Sequence, residues 1–133
     1  MKLTSRSEYA LLALLALARH RAGTFVRGDV IAREQGIPPK YLQQILLVLK
    51  HAHYVRSSKG QRGGYTLAKG ADDISLAEVV RLFDGALAPT ESVSRYFYES
   101  TPIEREQKLL EVFQTIRNHI AGKLERTTLA DVR

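Results

Sequence analysis

Ile37-Pro-Pro-Lys40-Tyr41-Leu42-Gln43-Gln44-Ile45-Leu46-Leu47-Val48-Leu49-Lys50, followed after three residues by Tyr54-Val-Arg-Ser57-Ser-Lys59-Gly60-Gln61-Arg62-Gly63-Gly64, decides the reading of this chain. The first half has helical periodicity. Leu42, Ile45, Leu46 and Leu49 recur at i, i+3, i+4 and i+7 and so share one side. Lys40, Gln43, Leu47 and Lys50 fall on the other. Pro38 and Pro39 suit a helix start, where the missing N–H costs nothing. The second half reads as a β-hairpin, with strands Tyr54 to Ser57 and Tyr65 to Leu67. Its loop holds Gly60, Gly63 and Gly64, with Lys59 just before them and Arg62 among them, and glycine permits positive φ and close approach of another backbone. An amide-bearing helix followed by a basic glycine hairpin points to double-stranded DNA as partner. One element suits the major groove, the other the minor groove or backbone.

Working outward, Asp29 to Gln35 forms a short helix that Gly36 ends in the left-handed conformation. With the helix after it, this makes a helix-turn-helix. Upstream, residues 4–20 form a first helix, capped by Thr4 or Ser5, with Glu8 in its first turn. Its centre, Leu11 to Ala18, is apolar nearly all round and expects burial on most sides. Lys2 and Arg6 followed by Tyr9 to Ala18 loosely imitate a signal peptide, but the run is too short to span a membrane and has a structural use. A cytoplasmic protein with no membrane contact is expected. Downstream, Ser75 and Glu78 form a capping box for a helix with Leu76, Val79, Val80 and Phe83 on one face. Helix, helix, helix and two strands is the winged-helix order.

Residues 86–101 have no strong period and read as a linker or effector-region loop, with an aromatic cluster at Tyr96, Phe97 and Tyr98. Thr101 and Glu104 offer a second capping box for a long helix from Pro102 to about Arg126. Leu109, Phe113, Ile116, Ile120 and Leu124 make an apolar stripe along it. The first four helices already close a unit, so this stripe expects a second copy of the chain. Thr127 to Val132 forms a short terminal turn or helix. The expected fold is mainly α with a small β-hairpin, a winged helix-turn-helix over residues 1–85. The 86–101 loop and a dimerisation helix with tail over 102–133 follow.

Composition fits this reading. The 133 residues carry a net charge of +6, which favours polyanionic partners, and 44% apolar content supports a packed core. Cysteine is absent, so disulfides and thiolate-held zinc or iron–sulfur sites are excluded. His20, His51, His53 and His119 have no tight ligand spacing, so no metal site is expected. Gly60 to Gly64 is not followed by the Lys-Ser/Thr of a phosphate-binding nucleotide loop, and no residue set reads as catalytic. The chain is not expected to be an enzyme or to hold a cofactor.

Several motifs together resemble the Rrf2 family of bacterial transcription regulators. They are Met1-Lys-Leu-Thr-Ser-x-x-x-Tyr9-Ala, Gln35-Gly-Ile-x-x-x-Tyr41-Leu-x-Gln44, and Gly60-x-x-Gly63-Gly64-Tyr65-x-Leu67. Ile74-Ser75 to Asp84-Gly85, and Thr127-Thr-Leu-Ala-Asp131, also match. The resemblance spans all but residues 86–100. It implies a winged helix-turn-helix homodimer whose long helix crosses to the partner. It places operator reading on Lys40, Tyr41, Gln43 and Gln44, and wing contact on Lys59, Gly60, Gln61, Arg62 and Gly63, with Ser57 at the wing's base. Chemistry agrees: Gln pairs with adenine N6 and N7, and Lys bonds guanine O6 or N7. A cationic, glycine-flanked wing fits a narrow minor groove. Lys2, Arg6 and Lys50 are expected at phosphates. Two departures matter. Many members hold a cluster on three cysteines in the region matching residues 86–107, and this chain has none. Helix three often carries Ser and Glu where Lys40 and Gln43 stand here, which moves the expected preference from cytosine toward adenine. The expected function is thus a sequence-specific, dimeric regulator on a pseudo-palindromic operator, without a cysteine-ligated cluster. The rival reading is an interaction module or small-molecule sensor, controlled by a protein partner or a ligand at the dimer interface.

Overall fold

The computed structural model describes residues 1–133. Its elements run α1 (Ser5–Arg19), α2 (Gly28–Gln35), α3 (Pro39–His51), β1 (Val55–Ser58), β2 (Gly64–Leu67), α4 (Leu76–Asp84), α5 (Gln107–Arg126) and α6 (Leu129–Val132). This is the mainly helical, winged helix-turn-helix architecture that the residue pattern implied. No helix is long and apolar enough to cross a membrane.

Helix α1 is the axis of the core. Ala10, Ala13, Ala16 and Ala18 are buried, and their small side chains let α2, α3 and α4 pack closely around Leu14 and Leu17. Thr4 caps α1 by accepting the Ser7 N–H at 3.3 Å. Gln35 ends α2 by donating from Nε2 to the Leu12 carbonyl at 2.9 Å, which pins the helix-turn-helix to α1. Gly36, at φ 64°, then turns the chain into α3.

The hairpin is antiparallel, with Val55 opposite Leu67 and Ser58 opposite Gly64. It is tied to the rest at two places. Val26, just before α2, exchanges two backbone hydrogen bonds with Tyr65 on β2, each 2.8 Å. The Tyr54 hydroxyl donates to Glu78 Oε1 at 3.2 Å, beside the Ser75–Glu78 capping box of α4. Burial works against ionisation of Glu78, but hydrogen bonds from Ser75 and Tyr54 and the nearby Lys69 outweigh it and hold the carboxyl below its usual range.

The chain's end returns to this unit. Leu76 N–H donates to Thr127 O at 2.8 Å and Leu129 N–H to Ile74 O at 3.0 Å. Leu129 is fully buried in the core with Leu14, Ile31 and Leu49. Residues 86–100 have no regular helix, yet Leu87, Ala88 and Val93 are buried, Leu87 against Ala77 and Val80 of α4.

One expectation is corrected. The Thr101–Glu104 capping box does not form, and the long helix begins at Gln107 rather than Pro102. Glu104 instead accepts from the Tyr98 hydroxyl at 2.6 Å and from Ser100 Oγ at 2.7 Å. The Thr101 hydroxyl donates to Ser92 Oγ at 2.6 Å. With both cap groups engaged, Pro102–Arg105 makes a short 3₁₀ turn, and Glu106 is extended.

Asp84, at the end of α4, receives the Thr4 N–H at 3.2 Å, the Ser7 hydroxyl at 2.6 Å and the Thr4 hydroxyl. Burial pushes its carboxyl up, but these bonds and the nearby Arg6 outweigh that and hold it below the ordinary aspartate value. A depressed folded-state pKa stabilises the protein above the unfolded value, about 3.9, and that contribution disappears as pH falls through the lower folded value. Asp84→Asn is expected to cost about 1–2 kcal/mol at pH 7, as for a hydrogen-bonded charge. Urea melts should show the gap to wild type closing below about pH 3.9. A gap unchanged with pH would assign the loss to packing instead.

Candidate nucleic-acid interface

The α3 helix sets the first part of the surface. Leu42, Ile45, Leu46 and Leu49 are buried to 2% exposure or less. The same helical repeat therefore turns Lys40, Gln43, Gln44, Leu47 and Lys50 to solvent, and all five are exposed. Tyr41 is half exposed, and its ring lies 6.1 Å from that of Tyr9 on α1. The N-terminal end of α1 is thus set beside the start of α3.

The wing forms the second part. Ser57, Lys59, Gly60, Gln61 and Arg62 are exposed at and near the hairpin turn. Gly60 has φ 96°, with open space around the position of a Cβ. Gly63 is different: it is buried, its N–H donates to Gly60 O at 3.0 Å, and a Cβ there would stand 2.2 Å from Ser58 O. Its place in the wing is to let the turn close. Gly64 likewise allows β2 to approach Val26.

Electrostatics favour an anion along this face. Residues 36–71 contain six Lys or Arg and no Asp or Glu. None of those six belongs to an ion pair; the chain's three pairs are His20–Glu34, Arg27–Asp29 and Arg81–Glu125. Lys40, Lys50, Lys59 and Arg62 are therefore free to meet phosphate or base edges. Lys2 is exposed as well. Arg6 lies over the Phe83 ring, 5.5 Å from its centre, and so has an intramolecular contact already.

The structure adds a residue that local patterns did not single out. Arg27 lines a hollow with Gly60 and Gln61, so it stands beside the wing tip. It arrives there through the Val26–Tyr65 pairing, a long-range contact with no local signature. Leu47 is 54% exposed in the middle of the polar stripe, an apolar group suited to a thymine methyl.

The stripe on α5 divides. Leu124, with Ala121, packs against the α4 cluster of Ala77, Val80 and Leu87. Phe113 and Ile120 are half-buried, whereas Leu109 and Ile116 are exposed together with Val112. Tyr96, Phe97 and Tyr98 are also exposed. No group of three His, Cys, Asp or Glu gathers as metal ligands, and with no cysteine the residues present do not fit a thiolate-held cluster.

Comparison with known proteins agrees with this architecture. The model of the Rrf2 family, described as iron-dependent transcriptional regulators, matches residues 3–133. A putative HTH-type transcriptional regulator of Mycobacterium tuberculosis is 38% identical over 136 residues, covering 99% of this chain and 81% of the relative. The cysteine regulator CymR of Bacillus subtilis superposes with a TM-score of 0.80 at 26% identity, covering 99% of this chain and 95% of that one. IscR of T. potens gives 0.76 at 27% identity, covering 99% and 85%. A family match across the helix-turn-helix, the wing and both terminal helices makes this chain a member of the Rrf2 family of transcriptional regulators.

Proposed function

We propose that the protein acts as a homodimer in the cytoplasm, reads a pseudo-palindromic operator with α3 and the wing, and does so without a cysteine-ligated cluster. The observation that carries this reading is the solvent stripe of α3. It pairs two glutamines with lysines that belong to no ion pair, on a segment that itself carries no carboxylate, next to a cationic wing; the one acid beside Gln43, Asp29 of α2, is paired with Arg27. Gln43 and Gln44 supply bidentate amides for adenine, Lys40 a donor for guanine, and Lys59 and Arg62 charge for the backbone or minor groove.

Two substitutions separate these roles. Gln43→Ala is expected to weaken operator binding by about 1–3 kcal/mol while leaving random duplex binding nearly unchanged. Lys59→Ala should weaken both alike and lower the salt slope by about 1. Fluorescence anisotropy at several salt concentrations measures both. Equal loss on operator and random DNA for Gln43→Ala removes base readout from this residue.

A second reading concerns control. Tyr96, Phe97 and Tyr98 are exposed beside a small hollow between α4 and α5, which favours regulation through a ligand or partner at that place.

A further inference from the structure

The hollow between α4, α5 and residues 87–97 is not part of the α3–wing face. It has a volume of about 80 Å³, room for a group the size of a phosphate or carboxylate. Its walls carry Arg81, Arg95 and Arg117, with one acid, Glu125. Three guanidiniums against one carboxylate leave two uncompensated positive charges.

The three arginines are in different states. Arg81 is spoken for: its Nη2 donates to Glu125 Oε1 at 2.6 Å, and its guanidinium lies 4.8 Å from the centre of the Tyr96 ring. That bond, with the charges of Arg81, Arg95 and Arg126 nearby, holds the Glu125 carboxyl below its usual range, and the acid's only ion pair is with Arg81. Arg95 is exposed and lies 6.0 Å from the Tyr96 ring centre without a carboxylate partner. Arg117 has no ion-pair partner either, and its Nε is shut off from solvent with no hydrogen-bond acceptor. The Nη atoms of Arg117 also have no hydrogen-bond partner but keep access to solvent, so they, not Nε, are what an oxyanion in the hollow can reach by charge-assisted bonds. Ser94 and Asn118, on the same walls, add neutral hydrogen-bonding groups.

We infer that this hollow binds a small oxyanion, either a free inorganic anion or the phosphate or carboxylate head of a metabolite, held by Arg117 and Arg95. This extends the second reading above by naming the residues and the ligand chemistry, but binding at the hollow does not require DNA binding to be correct. Its walls come from α4, α5 and the segment carrying the exposed aromatics. An anion seated there would bridge the dimer-side helix to the winged domain through Arg81 and α4.

The test is calorimetric titration of the DNA-free protein with sodium phosphate and, separately, sodium citrate, at constant ionic strength set with chloride. Saturable binding with about one site per chain is expected for at least one probe. Arg117→Gln should weaken it at least tenfold, while Lys59→Ala, on the DNA-binding face, leaves it unchanged. Phosphate binding alone points to a phosphate group, and a simple phosphate monoester titrated next separates a metabolite's head, which it would match or exceed, from a free inorganic anion, which it would not; tighter citrate binding points to an organic acid. If Arg117→Gln fails to fold, the exposed Arg95→Gln serves in its place, with a loss of at least threefold expected. Absence of saturable binding for both anions, or equal loss with Lys59→Ala, overturns the proposal. So does a rise in the dimer dissociation constant of Arg117→Gln without anion binding to wild type, since Arg117 would then face a carboxylate of the second copy. Operator binding measured on the same samples reports separately on the DNA-reading proposal.

Discussion

Replacing Ile116 with glutamate is expected to turn the protein into monomers and to lower operator affinity by about 10²–10⁴-fold, the gain that linking two half-site contacts supplies. The argument starts from α5. This helix has twenty residues, and none of them is buried. Helices take most of their stability from an apolar face packed against something, and the part of α5 that packs closely at home is its C-terminal part, around Leu124, with Phe113 and Ile120 half-buried. Leu109, Val112 and Ile116 lie exposed along the rest, spaced three and four residues apart. That is the spacing of a seam between two helices. A glutamate in such a seam places a carboxylate from each copy in the interface, each needing desolvation. Sedimentation velocity reads the assembly state, and anisotropy on a full operator and on a half-site reads the affinity. The variant should bind both DNAs about equally. A dimer that survives Ile116→Glu would place the interface elsewhere.

Gly64→Ala is expected to cost about 3 kcal/mol or more in urea unfolding and to detach the wing. Two effects add. Gly64 has φ 139°, where an L side chain is strained. A Cβ at this position would stand 2.3 Å from Val26 O and 2.8 Å from Arg27 N, both backbone atoms that cannot swing away. Relief requires breaking the paired Val26–Tyr65 hydrogen bonds. Those bonds hold the wing against the start of α2 and bring Arg27 beside Gly60 and Gln61. The same change at Gly60 is the control: φ is 96°, but nothing lies within 4 Å, so only the conformational strain, about 1–2 kcal/mol, applies. If the two variants unfold alike, crowding at Val26 is not what makes Gly64 necessary.

The parts of the fold that were readable in the sequence are those set by local periodicity and chemistry. Leu42, Ile45, Leu46 and Leu49 fixed the inner face of α3, and with it the outer one. Gly36 in the left-handed conformation and the Ser75–Glu78 box behaved as their local chemistry dictates. What was not readable depends on competing partners in an irregular segment nearby or on partners far along the chain. The Thr101–Glu104 pattern is as good a capping box as Ser75–Glu78, yet Tyr98, Ser100 and Ser92 compete for its groups. Likewise, nothing near Leu129 indicates that it fills the core beneath α1, or that Thr127 pairs with Leu76. Within the candidate surface, exposure follows from the α3 repeat. The burial of Gly63 and the position of Arg27 both follow from how the hairpin folds back, and residue type does not reveal that.

The measurement that bears most directly on the central claim is selection of bound duplexes from a random pool by the purified full chain at moderate salt, followed by sequencing. Reading by α3 of a symmetric dimer predicts an enriched pseudo-palindrome, with half-site centres about one helical turn apart and adenines at positions that change when Gln43 is replaced. Binding that enriches no sequence and collapses as salt rises would mean that only the basic surface is at work, and would contradict the account.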